Sequence, residues 1–247
     1  MRPFVLFLAL FVAAGCGAKQ GIDVRGTANA MAKAGTSRIA VSYDGKQTAT
    51  AAFDYDDQVG VVEFRGEVQQ IVTRDAVYTR LAAFDLQTEK LGNKRWVRND
   101  EVSKSRGLFQ PVAANPGQLL SFLSAVSDIE ETGKGEERGV PVTQYRATLR
   151  VERALEELPE RERIIAGETI RQYWTDGAKE GIPLDLAVDA DGRLRRVALT
   201  VPEDTPLVLE FYDYGIEVKP TPPPANEVVT WHEMVDLLAD EKSSRND

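Results

Sequence analysis

One cysteine and one histidine occur in the 247 residues of this chain, and each scarcity removes a class of function. With Cys16 alone, neither an internal disulfide nor a cysteine-ligated metal site can support the fold, so stability has to come from the core. His232 has no second histidine with which to hold zinc. It lies beyond a proline run near the C-terminus, where a solvent-facing place on a terminal helix is the natural reading, and nucleophilic catalysis of the Ser-His type finds no support. Glycine-rich phosphate loops and Walker-type lysines are lacking as well, so no cofactor is expected. Acidic residues outnumber basic ones, 39 against 30, and no arginine-rich or lysine-rich block stands out. That balance argues against a nucleic-acid partner and against electrostatic adsorption to an anionic membrane. The apolar run over residues 4–12 is too short to span a bilayer.

What that run does carry is an address. Arg2 supplies a minimal positive charge, residues 4–12 an apolar stretch, and Ala13-Ala14-Gly15 small side chains directly before Cys16. The arrangement resembles the lipobox of bacterial lipoproteins, in which a diacylglyceryl group is placed on the cysteine sulfur and the chain is cut just before it. Residues 1–15 are expected to be a signal peptide and 16–23 a lipidated tether. The mature protein would sit on the extracytoplasmic face of the cell membrane, held by its acyl chains.

From residue 24 the pattern is that of one domain, expected to run to 218. The alanine-rich stretch 28–33 after Thr27 predicts a short helix ended by Gly35. Strand signals follow at 37–43, 48–55, 59–65, 68–73 and 76–83, with Ile39, Val41 and Tyr43 alternating against polar or smaller neighbours and Asp44-Gly45 marking a turn. Short connections of this kind suit an antiparallel meander. A strand around Trp96 and a helix over 119–126 come next. Strands at 128–132 and 142–151 are expected to flank an exposed loop at 133–139, and a mainly helical stretch covers 152–178. The last strands read as 183–189, 194–201 and 207–214, with Asp191-Gly192 as a hairpin turn. Asp189-Ala190-Asp191-Gly192 also begins like a calcium loop, but Arg193, Arg195 and Arg196 stand where further oxygen ligands are needed. Pro220, Pro222, Pro223 and Pro224 close the domain, leaving 219–247 as a proline-rich linker and acidic tail with few contacts to the sheet. This order of elements implies an α+β fold, a strongly curved antiparallel sheet forming an incomplete β-barrel with helices over its concave face.

The combination resembles the actinobacterial LppX/LprG-type lipoproteins, whose fold is similar to that of the periplasmic carriers LolA and LolB. The lipobox, the early helix, Lys94-Arg95-Trp96-Val97-Arg98, Asn115-Pro116-Gly117-Gln118-Leu119-Leu120 and Gly139-Val140-Pro141-Val142-Thr143-Gln144-Tyr145 carry the resemblance. So do the stretch from Ile182-Pro183-Leu184 to Gly192-Arg193-Leu194 and the closing Phe211-Tyr212-Asp213-Tyr214-Gly215. It implies a half-barrel whose concave side holds acyl chains or another apolar ligand and needs no catalytic group, so the chain is not expected to be an enzyme.

Alternation places Val197, Leu199 and Val201 on one face of a late strand, with Leu184, Leu186 and Val188 on one neighbour and Leu209 and Phe211 on the other. Leu120, Leu123, Ile165 and Ile170 are the helical residues expected to face them across the candidate cavity. The alternative is an interaction or sensory module for an envelope protein partner, with the same residues forming a filled core.

Cys16→Ser is expected to leave an uncleaved precursor without acyl groups, because the hydroxyl is a poor substitute for the thiol as acceptor. Metabolic labelling with palmitate decides it: labelling as strong as in the wild type would remove the anchor assignment.

Overall fold

Polar–apolar alternation at a spacing of two gives most of this chain one apolar sheet face, and the fold is the way that face is covered. The computed structural model describes residues 24–84, 91–100, 123–156, 160, 163, 181–201 and 205–236. Helix α1 (Val24–Ala34) leads into β1 (Thr36–Tyr43), β2 (Lys46–Asp54), β3 (Val59–Phe64), β4 (Glu67–Val72), β5 (Val77–Arg80) and β6 (Trp96–Asn99). A second series comprises β7 (Val126–Glu137), β8 (Val140–Leu149), helix α2 (Val151–Glu156), β9 (Ile182–Asp189), β10 (Leu194–Val201) and β11 (Thr205–Tyr212), and β12 (Val228–Thr230) follows. The strands form one sheet in the order β12-β6-β5-β4-β3-β2-β1-β11-β10-β9-β8-β7. It is an open, curved half-barrel of the α+β class, as the sequence pattern implies.

Each series is an antiparallel meander, and β1 joins the two by pairing with β11, Ile39 opposite Phe211 and Val41 opposite Leu209. The concave face around this junction is the main core. Ile39, Phe53, Leu194, Val197, Leu209 and Phe211 are buried there with Met31 of α1, Leu123 and Ala125 of a 3-10 turn, and Val151 and Ala154 of α2. Gly60 stands opposite Phe53, and a Cβ there would come within 2.6 Å of the Phe53 ring and of the Ala52 carbonyl. Its lack of a side chain lets Phe53 lie across β3 and meet Tyr55 edge-on, with ring centroids 5.6 Å apart.

Three expectations change. Of the helix expected over 119–126, the described residues form a 3-10 turn at Leu123–Ala125, and Val126 already begins β7. Residues 133–139 are not a loop: β7 continues to Glu137, and Arg138 and Gly139, both with positive φ, make a two-residue turn into β8. A register shift falls just before Gly133, and Gly135 pairs in regular register with Val142, so neither glycine ends the strand. Nor is the segment after Pro220 without contacts. Val228, Val229 and Thr230 pair in parallel with Trp96, Val97 and Arg98, and the Arg95 amide donates to the Glu227 carbonyl at 2.8 Å. Val229 and Met234 are buried with Leu81, Leu91 and Val97 in a second, smaller cluster. The open β6 edge and the apolar Leu81 and Val97 beside it supply what the tail binds. Thr230 and Glu233 then start a helical stretch at 231–236 with a reciprocal cap. The Thr230 amide donates to Glu233 Oε2 at 2.9 Å, and the Glu233 amide to Thr230 Oγ1 at 3.3 Å.

Met234→Ala is therefore expected to cost about 2 kcal/mol or more in urea unfolding, as truncation of a buried methionine does. A loss below about 0.5 kcal/mol, typical of surface positions, would mean that the tail is not docked in solution.

Candidate functional site on the concave face

The concave face is sealed at one end and open at the other. At the sealed end α1 lies against the β9–β10 hairpin, where the turn expected at Asp191-Gly192 is present and Asp189 holds it together. Asp189 Oδ1 accepts from the amides of Asp191 (3.0 Å) and Arg193 (2.9 Å), and Oδ2 accepts from Nε of Arg193 (2.9 Å) and of Arg195 (2.8 Å). Its side chain is 3% exposed. Burial alone would raise this carboxyl, but the Arg193 amide and the two guanidiniums outweigh it and hold it below the ordinary carboxylate range. The arginines that spoil a calcium loop in the sequence thus use the carboxylate themselves.

Both guanidiniums also stack on Tyr214, at 5.1 and 4.7 Å from its ring centre. The Tyr214 hydroxyl donates to the Leu194 carbonyl and lies 3.1 Å from Met31 Sδ. Nearby, Tyr55 and Ser37 share a buried hydrogen bond of 2.6 Å. Burial pushes both tyrosine hydroxyls far above their usual range, so they stay neutral plugs rather than acid–base groups.

Toward the opposite ends of the same strands, burial falls away. Leu199 and Leu207 are half-buried, and Tyr43 and Phe64 are 45% and 41% exposed. A groove of about 610 Å³ opens there over β3–β5. Register puts Val62, Gln70, Thr79 and Val97 in one row across four strands, and the first three form its floor. Phe64, Arg65 and Glu67 stand at its rim, and Glu67 pairs with Arg80 at 3.5 Å. The groove thus lies between the main core and the cluster that the tail completes. Its walls can receive an apolar chain, and its rim offers both signs of charge.

Of the residues expected to line a cavity, Leu184, Leu186, Val188, Val197, Leu209 and Phe211 are packed in the main core with Leu123, and Leu199 is half-buried against it. Val201 ends β10. Leu120, Ile165, Ile170 and the anchor Cys16 lie outside the described residues. The sequence pattern did not single out the groove residues Val62, Gln69, Gln70 and Thr79, although the exposed Phe64 next to an Arg65-Gly66 turn was a signal within reach. His232 is exposed on the terminal helical stretch. Among the described residues no cluster of potential metal ligands occurs, and no helix is long and apolar enough to cross a membrane.

No family model matches the chain, and no curated protein sequence matches it. Among solved structures it is similar to LprF from Mycobacterium bovis, with a TM-score of 0.50 and 13% identity, covering 82% of this chain and 95% of that one. It is also similar to the lipoprotein LppX of Mycobacterium tuberculosis, with a TM-score of 0.47 and 17% identity, over 80% of this chain and 96% of that one. At these identities the likeness is one of fold, and the resemblance to LppX/LprG-type lipoproteins holds at that level.

Asp189→Asn is expected to cost about 1.5–3 kcal/mol at neutral pH, the range for hydrogen bonds to a charged group. The folded carboxyl titrates below its unfolded value of about 3.9, so its contribution is present above that pH and is lost as pH falls through the depressed pKa. Urea unfolding of both proteins should therefore converge in acid. A gap of the same size at pH 7 and pH 2 would contradict the assignment.

Proposed function

We propose that this protein is an envelope lipoprotein, anchored through acyl chains on Cys16, that binds or carries a lipid or another apolar ligand on the concave side of its half-barrel. The carrying observation is the groove of about 610 Å³ beside an exposed Phe64, on the face where the rest of the sheet buries its apolar side chains. A sheet face of this kind is ordinarily filled by the protein's own side chains. Leaving Val62 and Phe64 beside open space makes sense for a face that takes up something else. The fold shared with LprF fits a binding role without catalysis. In this reading residues 1–15 are removed on export, 16–23 give the domain reach above the membrane, and the folded unit begins at α1.

A second reading, in which the molecule docks an envelope protein, draws on the main core. Leu194, Val197 and Leu209 are fully buried there and leave that part of the interior no room for a ligand.

Native mass spectrometry of the gently purified mature protein separates the two readings: a carrier should retain an added mass in the range of an acyl lipid. Phe64→Glu puts a charge at the groove and is expected to weaken binding of a fluorescent fatty-acid probe about tenfold or more. Because Phe64 is 41% exposed, the urea midpoint should stay within about 0.5 kcal/mol of the wild type. Undiminished probe binding by the variant would remove the groove as the site.

A further inference from the structure

The polar part of the ligand is addressed by a local departure from strand alternation in β4. Val62 pairs with Gln70 and Glu63 with Val68, so Gln69 is an extra residue in the ladder. A bulge re-aims side chains, and here the consecutive residues Gln69 and Gln70 both line the groove instead of pointing to opposite faces. Gln70 Nε2 donates to Thr79 Oγ1 at 3.4 Å, with the amide oxygen turned away from Thr79. Gln69 Oε1 and Gln70 Oε1 are shut off from solvent and have no hydrogen-bond partner, and they are the two buried side-chain polar atoms among the described residues in that state. Buried acceptors of this kind are costly to leave unmet and call for a reason. Both belong to side chains that line one groove.

An amide oxygen only accepts, so whatever meets these two atoms has to donate. A phosphate or carboxylate head brings further acceptors and leaves both unmet. An ammonium head would donate, but Arg65 stands at the rim with its own positive charge, and Glu67 is already paired with Arg80. A hydroxyl both donates to the amide oxygens and accepts from Arg65. We propose that the groove over β3–β5 is the subsite for the head of a neutral, hydroxyl-bearing amphiphile. Gln69 and Gln70 turn their amide oxygens out of the groove wall to accept hydrogen bonds from its hydroxyls, and Val62 and Phe64 carry the adjoining apolar chain. This rests on the carrier reading above and specifies its ligand.

Three probes with one chain length and different heads test it: octyl glucoside, octyl phosphate and octylammonium, each titrated below its micellar concentration into the purified protein by calorimetry. Octyl glucoside is expected to bind about tenfold tighter than either charged probe. In the Gln69→Met, Gln70→Met double variant, which keeps the side-chain length and removes both oxygens, that preference should vanish while octyl phosphate binding is unchanged. The urea midpoint of the variant should not fall, because two unmet acceptors are lost. Equal binding of all three heads by the wild type, or an unaltered glucoside preference in the variant, overturns the head-group assignment and leaves the carrier reading standing. Failure of all three probes, together with failure of the wild-type protein to bind the fatty-acid probe, overturns both.

Discussion

The pairing of β1 with β11 is the contact on which the rest of the molecule depends. Each meander alone is a sheet with one apolar face and an unmet edge. Joined at Ile39–Phe211 and Val41–Leu209, they make a face wide enough to curve around α1, the 3-10 turn at Leu123–Ala125 and α2. The most deeply buried side chains collect at this seam. Burial then falls away to either side and toward one end, and the groove lies where the main core has run out and the small cluster under β12 has not yet begun.

The two ends of the concave face differ in chemistry for a reason that lies in the turns. At the sealed end a single buried carboxylate gathers two backbone amides and two guanidiniums, and those guanidiniums lie on Tyr214, whose hydroxyl reaches back to the β10 backbone near α1. The other end has two-residue turns at Asp44-Gly45 and Arg65-Gly66 with no comparable network among the described residues, and the aromatic residue before each, Tyr43 and Phe64, is left partly in solvent. One end is therefore tied by polar contacts, and the other keeps apolar surface uncovered.

Most of the strand plan was legible in the sequence because period-two alternation and turn residues are local signals. Ile39, Val41 and Phe53 announce their face, and Asp44-Gly45 and Asp191-Gly192 their turns. What was hidden is non-local or aperiodic. Three residues after a proline run have no period by which to declare a strand, so β12 became visible only from the β6 edge that it pairs with. Gly133 and Gly135 read as loop residues because glycine is a turn signal, yet β7 carries Gly133 after a register shift and Gly135 in regular pairing with Val142. The groove escaped for a related reason: strict alternation sends Gln69 and Gln70 to opposite faces, and only the bulge opposite Val62–Glu63 brings them together. The late-strand residues Val197, Leu209 and Phe211 pack in the main core, and alternation reports which face a side chain is on and not whether space is left in front of it.

The shortness of β12 has its own consequence. It is held by three parallel pairings, with Val229 as its buried side chain and Met234 buried in the helical stretch that follows, and none of these contacts belongs to the main core. Its release uncovers Leu81, Leu91 and Val97 and leaves the β1–β11 seam in place. The small cluster and the main core are separate sets of contacts, and in such a molecule parting the smaller set costs less than unfolding the whole.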